Sequence, residues 1–412
     1  MTQLLALFFL LLPTYLIRFR IGPLPTTFLE IFFWIVFLVQ HQKILFSTFS
    51  SLFSQHRSLF IAITLFLLAA TISVFTSIDT RAALGEWKAF YVEPVILFFI
   101  LITSIKTKKH VDNILLSLIS LSILTSALAI YQHFTGWLVP YAFWANHDTY
   151  RVTAWYGFPN GVGLFLAPII PLAIYRIQQS RTEKTRFIIP ILMIPASLLA
   201  ILFAKSTGGL IGIAAGIGVL LLLCKKTRLP ASIVGVVALI TLFALPKDNP
   251  IRQELLMQDR SGQIRVSMWG EAAELLSDRP ILGAGLASYA ERVAPYHTTV
   301  NGEGIEIFHH PHNIFLTMWV NLGLLGLVGF VWILVWFYKS AINYSRLHTE
   351  PPDLVGVATV SLSPYLLASM TTLLVTGLVD SPYIKNDLAM FFWLLPALMI
   401  ITTKHYETME NT

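Results

Sequence analysis

The sequence predicts an all-α, polytopic membrane protein that forms a single membrane domain over residues 1–412. Three observations support this prediction. Hydrophobic residues make up 56% of the chain, and only 12% of its residues are charged, about half the share of a soluble globular protein. The apolar residues also form continuous blocks close to the roughly 20 residues that a helix needs to cross a bilayer. Continuous blocks favour transmembrane helices over the alternating strands of a membrane barrel.

We predict about twelve transmembrane helices from these blocks. The first is short, and only "AKSTGG" (204–209) separates the seventh from the eighth, which we interpret as a tight external turn. The predicted cores are residues 3–17, 27–41, 58–77, 90–105, 111–131, 158–176, 187–204, 207–224, 230–245, 312–337, 355–378 and 386–402.

Lysine and arginine residues indicate how these helices are oriented. With both termini in the cytoplasm, the predicted inner loops hold about twice as many of them as the short outer loops, as the positive-inside rule requires. We therefore relate the net charge of +6 to topology and not to nucleic-acid binding. The single cysteine, Cys224, excludes an intrachain disulfide and a cysteine-based metal site. We interpret the first residues as a transmembrane helix, not a removed signal peptide.

One hydrophilic connection, residues 246–311, is far longer than the others, and this orientation makes it extracytoplasmic. Long ordered loops are usually functional. Residues 263–277 show an amphipathic helical pattern that ends at "SDRP", and we predict a second short helix near 286–294. Arg265 and Trp269 are four residues apart and therefore share a face of the first helix.

His309, His310 and His312 occur together at the start of the predicted tenth helix. One interpretation is a metal site completed by His309 or His297, but no HExxH pattern or cysteine partner supports it, and we predict no metal and no cofactor. A second interpretation is a hydrated helix start without chemistry. In a third, the helix begins near Pro311, and its dipole favours the neutral His312 imidazole that a base needs, because His312 lies in its first turn. The free N–H groups of that turn favour a phosphate.

The residues after these histidines carry a recognisable signature. In "HNIFLTMWVNLGLLG", His312 and Asn313 are followed by nine residues, Gly323, two residues and Gly326. This resembles the signature of the O-antigen ligase and O-antigen polymerase superfamily, and we expect both glycines to permit close helix packing. Four more segments resemble that family in order: "IYQHFTGW" (130–137), "RVTAWYGFPNGVGLFLAPIIPL" (151–172), "IRVSMWGEAAELLSDRPILGAGLASY" (264–289) and "VDSPYIKNDLAMFFW" (379–393).

The resemblance implies a fold related to C-type glycosyltransferases. It also implies transfer of a glycan from undecaprenyl pyrophosphate at the outer face of the bacterial cytoplasmic membrane, without a metal or nucleotide. The family's base histidine corresponds to His312, and its pyrophosphate-binding loop arginine corresponds to Arg265. A second family arginine is replaced by Thr207, which is a departure from the pattern. Three cations are candidates to replace it: Lys205, Arg151 and Arg260. A lysine cannot form the bidentate clamp of an arginine.

We predict a single inverting displacement in which His312 is the base and Arg265 binds pyrophosphate. Trp269 and Tyr289 either line the substrate pocket or only pack. Asp380 either orients a histidine or an arginine, or is a solvated carboxylate. The predicted substrate-binding residues are Arg151, Lys205, Arg260, Trp269, Tyr289, His310, Asn313 and Asp380. Arg151 and Asn160 either hold the donor or brace the long loop.

Several functions remain open at this stage. An O-antigen polymerase or a protein O-oligosaccharyltransferase would fit the same signature, because the acceptor can be a lipid, a glycan or a protein hydroxyl. A transporter of polysaccharide or lipid would fit the helices, but transporters usually contain two related halves, and the sequence shows none. A channel-like or structural protein would leave Arg265 and His312 unexplained. The predicted partners are a lipid-linked donor, an acceptor and the bilayer, with no nucleic acid.

Overall fold

The computed structural model describes residues 2–22, 24–44, 53–146, 150–179, 184–300, 303–304, 306–347 and 361–410. In this part of the chain the fold is almost entirely helical, as the sequence predicts. Two short antiparallel hairpins, which the sequence does not predict, are the exceptions. They pair β1 (Arg18–Ile21) with β2 (Leu24–Thr27), and β3 (Thr299–Val300) with β4 (Glu303–Gly304).

The helices follow the apolar blocks of the sequence, and π-helical residues Trp87–Val92 and 3-10 residues Ala167–Ile169 join two pairs of them end to end. In chain order they are α1 (Thr2–Leu10), α2 (Phe28–Ile44), α3 (Arg57–Phe75), α4 (Thr80–Glu86), α5 (Glu93–Ser104), α6 (Lys108–Thr135), α7 (Ala142–Ala145), α8 (Asn160–Leu166), α9 (Ile170–Gln179), α10 (Lys184–Phe203), α11 (Thr207–Leu223), α12 (Arg228–Ala244), α13 (Pro250–Leu255), α14 (Arg260–Asp278), α15 (Tyr289–Val293), α16 (Ile314–Leu347), α17 (Ser363–Thr376) and α18 (Asn386–Glu410).

Six helical segments among the described residues are long and apolar enough to cross a membrane: Arg57–Phe75, Thr80–Ser104, Lys108–Thr135, Asn160–Gln179, Ile314–Tyr344 and Asn386–Thr403. Four shorter apolar helices accompany them: Phe28–Val39, Phe187–Phe203, Thr207–Leu223 and Arg228–Ala244. Of the two remaining predicted spans, 3–17 contains α1, which ends before Pro13, and 355–378 contains α17, although residues 355–360 lie outside the described residues. A multi-span helical fold is thus confirmed, and the number twelve stays a prediction.

Helices α11 and α17 pack closely along a face of small residues. A Cβ atom on Gly212 would overlap the hydroxyl of Thr376, and one on Gly216 would overlap the hydroxyl of Thr372. Small residues of this kind let membrane helices approach each other's backbone. The contact brings the last turn of α17 beside the first turn of α11, where the candidate site lies.

Helix α16 is interrupted at Gly323, which has φ 70° and ψ −175°. The chain that follows α14 enters the interruption, so that the Leu324 N–H donates to the Ile281 carbonyl at 2.9 Å and the Ala284 N–H donates to the Val320 carbonyl at 2.7 Å. A side chain at position 323 would overlap the Ile281 carbonyl, and a positive φ favours glycine. Gly323 therefore accommodates the long loop, and its predicted role in helix–helix packing is wrong.

The described residues of the long connection include α14, its longest helix. The predicted helix 263–277 is confirmed with slightly wider bounds, because Asp259 caps its first turn by accepting hydrogen bonds from two backbone N–H groups. Its buried face forms a small apolar core that is separate from the membrane core. That core contains Ala272, Leu275, Leu276, Ala284, Tyr289, Val293 and Val320. This packing holds α14 against the end of the helix bundle.

Candidate functional site

The site lies where the ends of several helices meet α14. Asn160 is the first residue of α8, and Arg151 lies in the segment that precedes it. Thr207 begins α11, His312 precedes α16 and Asp380 follows α17. Residues far apart in the sequence are therefore gathered at one end of the bundle.

His312 and Asp380 form a pair at the centre of the site. Their Nδ1 and Oδ1 atoms are 3.2 Å apart, and Asp380 is only 3% exposed. Oδ1 also accepts a hydrogen bond from the Ser381 N–H at 2.8 Å, and Oδ2 accepts one from the Asn160 Nδ2 at 2.9 Å. Burial raises the pKa of Asp380, but the charge of His312 and its hydrogen bond together lower that pKa below its usual range. The carboxylate is therefore ionised and satisfied at neutral pH.

The predicted position of His312 in the first turn of a helix is wrong. Helix α16 begins at Ile314, because the Asn313 side chain accepts hydrogen bonds from the N–H groups of Phe315 and Leu316 at 3.0 and 3.1 Å and so caps the helix. His312 precedes the cap with a φ of 46°, in the left-handed region that non-glycine residues seldom adopt. Residues held in this conformation are concentrated at functional sites.

His310 supports this conformation of His312. Its Nδ1 accepts a hydrogen bond from the His312 backbone N–H at 3.3 Å, and the two ring centroids lie 4.6 Å apart. Burial, followed by the charge of His312, lowers the pKa of His310 to about 3. A neutral ring that accepts at Nδ1 carries its proton on Nε2. His310 therefore acts as a neutral hydrogen-bond acceptor.

Three side chains at the centre of the site are close enough together to bind one metal ion. Among the described residues, His310, His312 and Asp380 offer ligand atoms within 4.8 Å of one another. Imidazole nitrogen and carboxylate oxygen are both zinc ligands. His297 lies instead beside Glu271, with 3.4 Å between its Nδ1 and Oε2. Among the described residues, the candidate metal ligands are therefore His310, His312 and Asp380, and not His297.

A cavity of about 280 Å³ opens beside Asp380, and Arg151, Lys205 and Arg265 are among the residues that line it. Arg151 donates from Nε to the Ala204 carbonyl at 2.8 Å and from Nη2 to the Lys205 carbonyl at 3.0 Å. Its Nη2 also donates to the Asn160 Oδ1 at 2.9 Å. The Asn160 amide therefore bridges Arg151 and Asp380.

Arg265 approaches the same cavity from α14. Its Nε donates to the Val379 carbonyl at 2.8 Å, and its Nη1 donates to the Ser261 hydroxyl at 2.6 Å. Burial, followed by the charge of Arg265, lowers the pKa of Arg151 to about 10. Within the described part of the chain, no hydrogen bond involves Nη2 of Arg265 or Nη1 of Arg151. Both guanidinium groups can therefore donate to an anion.

Two carboxylates also line the cavity, and both have donors of their own. Glu254 accepts a hydrogen bond from the Thr207 hydroxyl, and Asp259 caps α14. The sequence does not predict the role of Glu254. Asp259 could have been predicted as a cap, since an aspartate directly before an amphipathic pattern is a helix-start signal.

The other predicted residues are not among those that line the cavity. Trp269 donates from Nε1 to the Pro311 carbonyl at 3.0 Å, and Asn313 donates from Nδ2 to the Leu378 carbonyl at 3.0 Å. Tyr289 is 3% exposed in the small apolar core. Arg260, His310 and His312 are also not among the lining residues. The structure thus brings together Arg151, Lys205, Arg265 and Asp380 at the cavity and joins His312 to them through Asp380, whereas Tyr289 lies in the small apolar core.

The comparison with known proteins agrees with the sequence signature. The family described as O-Antigen ligase matches residues 191–331, a segment that contains Lys205, Arg265 and His312. The resemblance to the O-antigen ligase and polymerase superfamily is confirmed. Arg151 and Asp380 lie outside the matched segment.

One relative is a Haemophilus influenzae protein described as uncharacterized, which is 24% identical over 270 residues. The alignment spans 60% of this chain and 64% of the relative's own length, which is less than two thirds. Its description gives no activity. Together, the apolar helices and the family match indicate a bacterial membrane protein that is similar to the O-antigen ligase family over residues 191–331.

Proposed function

We propose that this protein is a glycosyltransferase that moves a glycan from undecaprenyl pyrophosphate to an acceptor hydroxyl. The reaction takes place at the extracytoplasmic face of the bacterial cytoplasmic membrane, and both termini of the protein lie in the cytoplasm. The observation that carries this proposal is the position of the His312–Asp380 pair beside a cavity that holds two arginines. Asp380 bonds to His312 and also lines the cavity, so that the candidate base lies next to the candidate anion site. Transfer from a phosphate-linked sugar requires a base and an anion site in this proximity.

The cavity suits the pyrophosphate of the donor. Burial and, after it, the positive charge of Arg265 lower the pKa of Arg151 to about 10. An anion between the two guanidinium groups would relieve this repulsion through charge-assisted hydrogen bonds. Lys205 and the first backbone N–H groups of α11 add positive potential at the same place. Arg151, which donates to the Ala204 and Lys205 carbonyls, compensates for the absence of an arginine at Thr207.

His312 is placed to act as the general base. Because its Nδ1 is bonded to Asp380, Nε2 is the atom that can accept the proton of an acceptor hydroxyl. The acceptor oxygen then forms a bond to the anomeric carbon, and the bond from that carbon to the phosphate oxygen breaks. Its electron pair leaves with the pyrophosphate, whose charge the arginines stabilise. One displacement of this kind inverts the anomeric centre and needs no covalent enzyme intermediate.

The acceptor distinguishes the remaining alternatives. A lipid-anchored oligosaccharide acceptor would make the protein a ligase, a growing glycan would make it a polymerase, and a protein hydroxyl would make it an O-oligosaccharyltransferase. A transporter would move the lipid-linked glycan without breaking its bond to phosphate. The buried, fully bonded Asp380 favours chemistry over transport, because it orients a histidine that binding alone would not require.

The test is incubation of the purified protein in liposomes with an undecaprenyl-pyrophosphate-linked glycan and a panel of acceptors. The panel contains a lipid A core, a second lipid-linked glycan and a serine-containing protein, and mass spectrometry identifies the products. We expect one acceptor to gain the glycan with an inverted anomeric configuration, and undecaprenyl pyrophosphate to be released. Movement of the intact lipid-linked glycan across the membrane, without transfer to any acceptor, would support the transporter instead.

A further inference from the structure

Two side chains of α14 donate hydrogen bonds to backbone carbonyl groups on the opposite side of the site. Trp269 donates from Nε1 to the Pro311 carbonyl at 3.0 Å, and Arg265 donates from Nε to the Val379 carbonyl at 2.8 Å. These carbonyls belong to the residues immediately before His312 and Asp380. One helix therefore contacts the backbone directly before each member of the pair.

We propose that α14 positions His312 against Asp380, and that Trp269 is a positioning residue which holds His312 in its left-handed conformation. This inference rests on the proposed function, since it concerns the alignment of the base. It assigns Trp269 a role different from direct contact with the sugar.

The geometry of one peptide group explains how Trp269 acts. The peptide bond between Pro311 and His312 is planar, so its carbonyl and its N–H point in fixed opposite directions. Trp269 holds the carbonyl, and the His310 Nδ1 accepts the N–H at 3.3 Å. On the other side of His312, Asn313 donates to the Leu378 carbonyl and caps α16. With this peptide group held on one side of the His312 Cα atom and Asn313 held on the other, the φ of His312 stays at 46°.

Without the contacts from Trp269 and His310, the left-handed conformation would have less to maintain it. A histidine gains free energy by returning to an ordinary φ, because the left-handed region is sterically disfavoured. That rotation would carry the imidazole away from Asp380. The carboxylate would stay in place, since Asn160 and the Ser381 N–H hold it from the membrane helices. His312 is thus the member of the pair whose alignment depends on α14.

Arg265 connects this alignment to the donor. Its Nε holds the Val379 carbonyl, while its side chain also lines the cavity proposed for pyrophosphate. Donor binding at Arg265 would therefore stabilise α14 in the position from which Trp269 aligns His312. In this way, the base is aligned when a donor is present.

The experiment compares Trp269→Phe with Trp319→Phe in the full-length protein. Both changes remove an indole N–H that donates to a proline carbonyl, because Trp319 Nε1 donates to the Pro280 carbonyl at 2.7 Å. Trp319 belongs to α16 and is not among the residues that line the cavity, and its indole N–H bonds to Pro280 rather than to a neighbour of His312, so it is the matched control. The readouts are kcat, the KM values for donor and acceptor, and the melting temperature of each variant.

We expect Trp269→Phe to lower kcat about 3- to 10-fold, as the loss of one hydrogen bond predicts, with both KM values unchanged. Trp319→Phe should retain the wild-type kcat. His310→Phe and the double variant Trp269→Phe/His310→Phe are measured as well. The kcat of the double variant should be only slightly lower than that of the slower single variant, because both contacts hold the same peptide group. Independent structural roles would make the two losses multiply.

The outcomes separate this inference from the proposed function. If His312→Gln is inactive while Trp269→Phe keeps the wild-type kcat, the positioning role is wrong and the proposed function stands. A raised KM with an unchanged kcat would assign Trp269 to substrate binding and also overturn the positioning role. If the wild-type protein transfers no glycan, or if His312→Gln is fully active, the proposed function itself fails, and this inference fails with it.

Discussion

The two sides of the site are held in different ways. The membrane wall, formed by Arg151, Asn160 and Asp380, is a continuous hydrogen-bonded network at the ends of buried helices. The loop wall, formed by Arg265 and Trp269 of α14, reaches across the site through two bonds to backbone carbonyl groups.

Because of this difference, substitutions in the two walls should affect the stability of the protein and its transfer activity differently. In the membrane wall, removing one partner leaves another buried polar group unsatisfied, which costs folding free energy. In the loop wall, removing the Arg265 donor frees the carbonyl of Val379, a residue that lines the cavity, where water can replace the lost donor. We therefore expect changes in the membrane wall to reduce both stability and transfer, and changes in the loop wall to reduce transfer alone.

The largest effect among the surrounding residues should come from Asp380→Asn. The amide cannot accept from both His312 and Asn160 as the carboxylate does, so the base loses its orientation. We expect the transfer rate to fall by about 10²-fold or more, and the melting temperature to fall by several degrees. Asp248→Asn, at an exposed position, is the control. A rate within about twofold of wild type would contradict the role of Asp380.

A smaller effect is expected for Arg265→Lys, which tests the loop wall. Lysine carries its three N–H donors on a single nitrogen, so it cannot reproduce the separate nitrogens with which Arg265 holds the Val379 carbonyl and faces the cavity. We expect the KM for the donor to rise about 10-fold or more, with an unchanged melting temperature. Arg260→Lys, on the same helix but not among the residues that line the cavity, should behave as wild type. An equal donor KM for the two variants would show that donor binding does not depend on the guanidinium group of Arg265.

His310 should give the protein a pH-dependent stability. Its pKa in the folded protein is about 3, below the ordinary value of 6.5, so between these values the unfolded chain binds a proton that the folded chain does not. The free energy of unfolding therefore decreases as the pH falls through this window. We expect His310→Gln to lose less stability than wild type between about pH 7 and about pH 5, measured as melting temperature. A larger loss in the variant would contradict this explanation.

The smallest expected effect is that of metal removal, which tests whether His310, His312 and Asp380 hold an ion. We expect the transfer rate to be unchanged after exhaustive treatment with EDTA, because the proposed displacement uses only protein side chains. Elemental analysis of the untreated protein is the accompanying measurement. A stoichiometric metal, together with activity that EDTA abolishes and zinc restores, would replace the base mechanism with a metal-assisted one.

Much of the fold could be predicted from the sequence, because continuous apolar blocks can satisfy their backbone in lipid only as helices. Helix α14 was also predictable, since its apolar residues recur at helical spacing between clear start and stop signals. The β1–β2 hairpin was not, because its strands are only four residues each and expose every residue of β1.

The site was predictable in its residue types but not in its contacts. His312 and Arg265 carry the family signature, whereas the link from Asn160 to Asp380 spans 220 positions and depends on how α8 and α17 pack. The left-handed backbone of His312 was not predictable either, because Asn313 caps α16 and the helix begins at Ile314, three residues after the start that the sequence suggests near Pro311. Trp269 could be placed beside Arg265 on one face, but its Pro311 contact depends on the long loop's fold.

The central claim is that His312 is the base of a glycan transfer, and one measurement tests it most directly. Transfer from a saturating lipid-linked donor is timed for wild type, His312→Gln and His309→Gln, with equal melting temperatures as the condition for comparison. His309 is exposed and serves as the neighbouring control. We predict that His312→Gln slows transfer by about 10²- to 10⁴-fold, while His309→Gln transfers at the wild-type rate. A folded His312→Gln variant that transfers glycan as fast as wild type would contradict the claim.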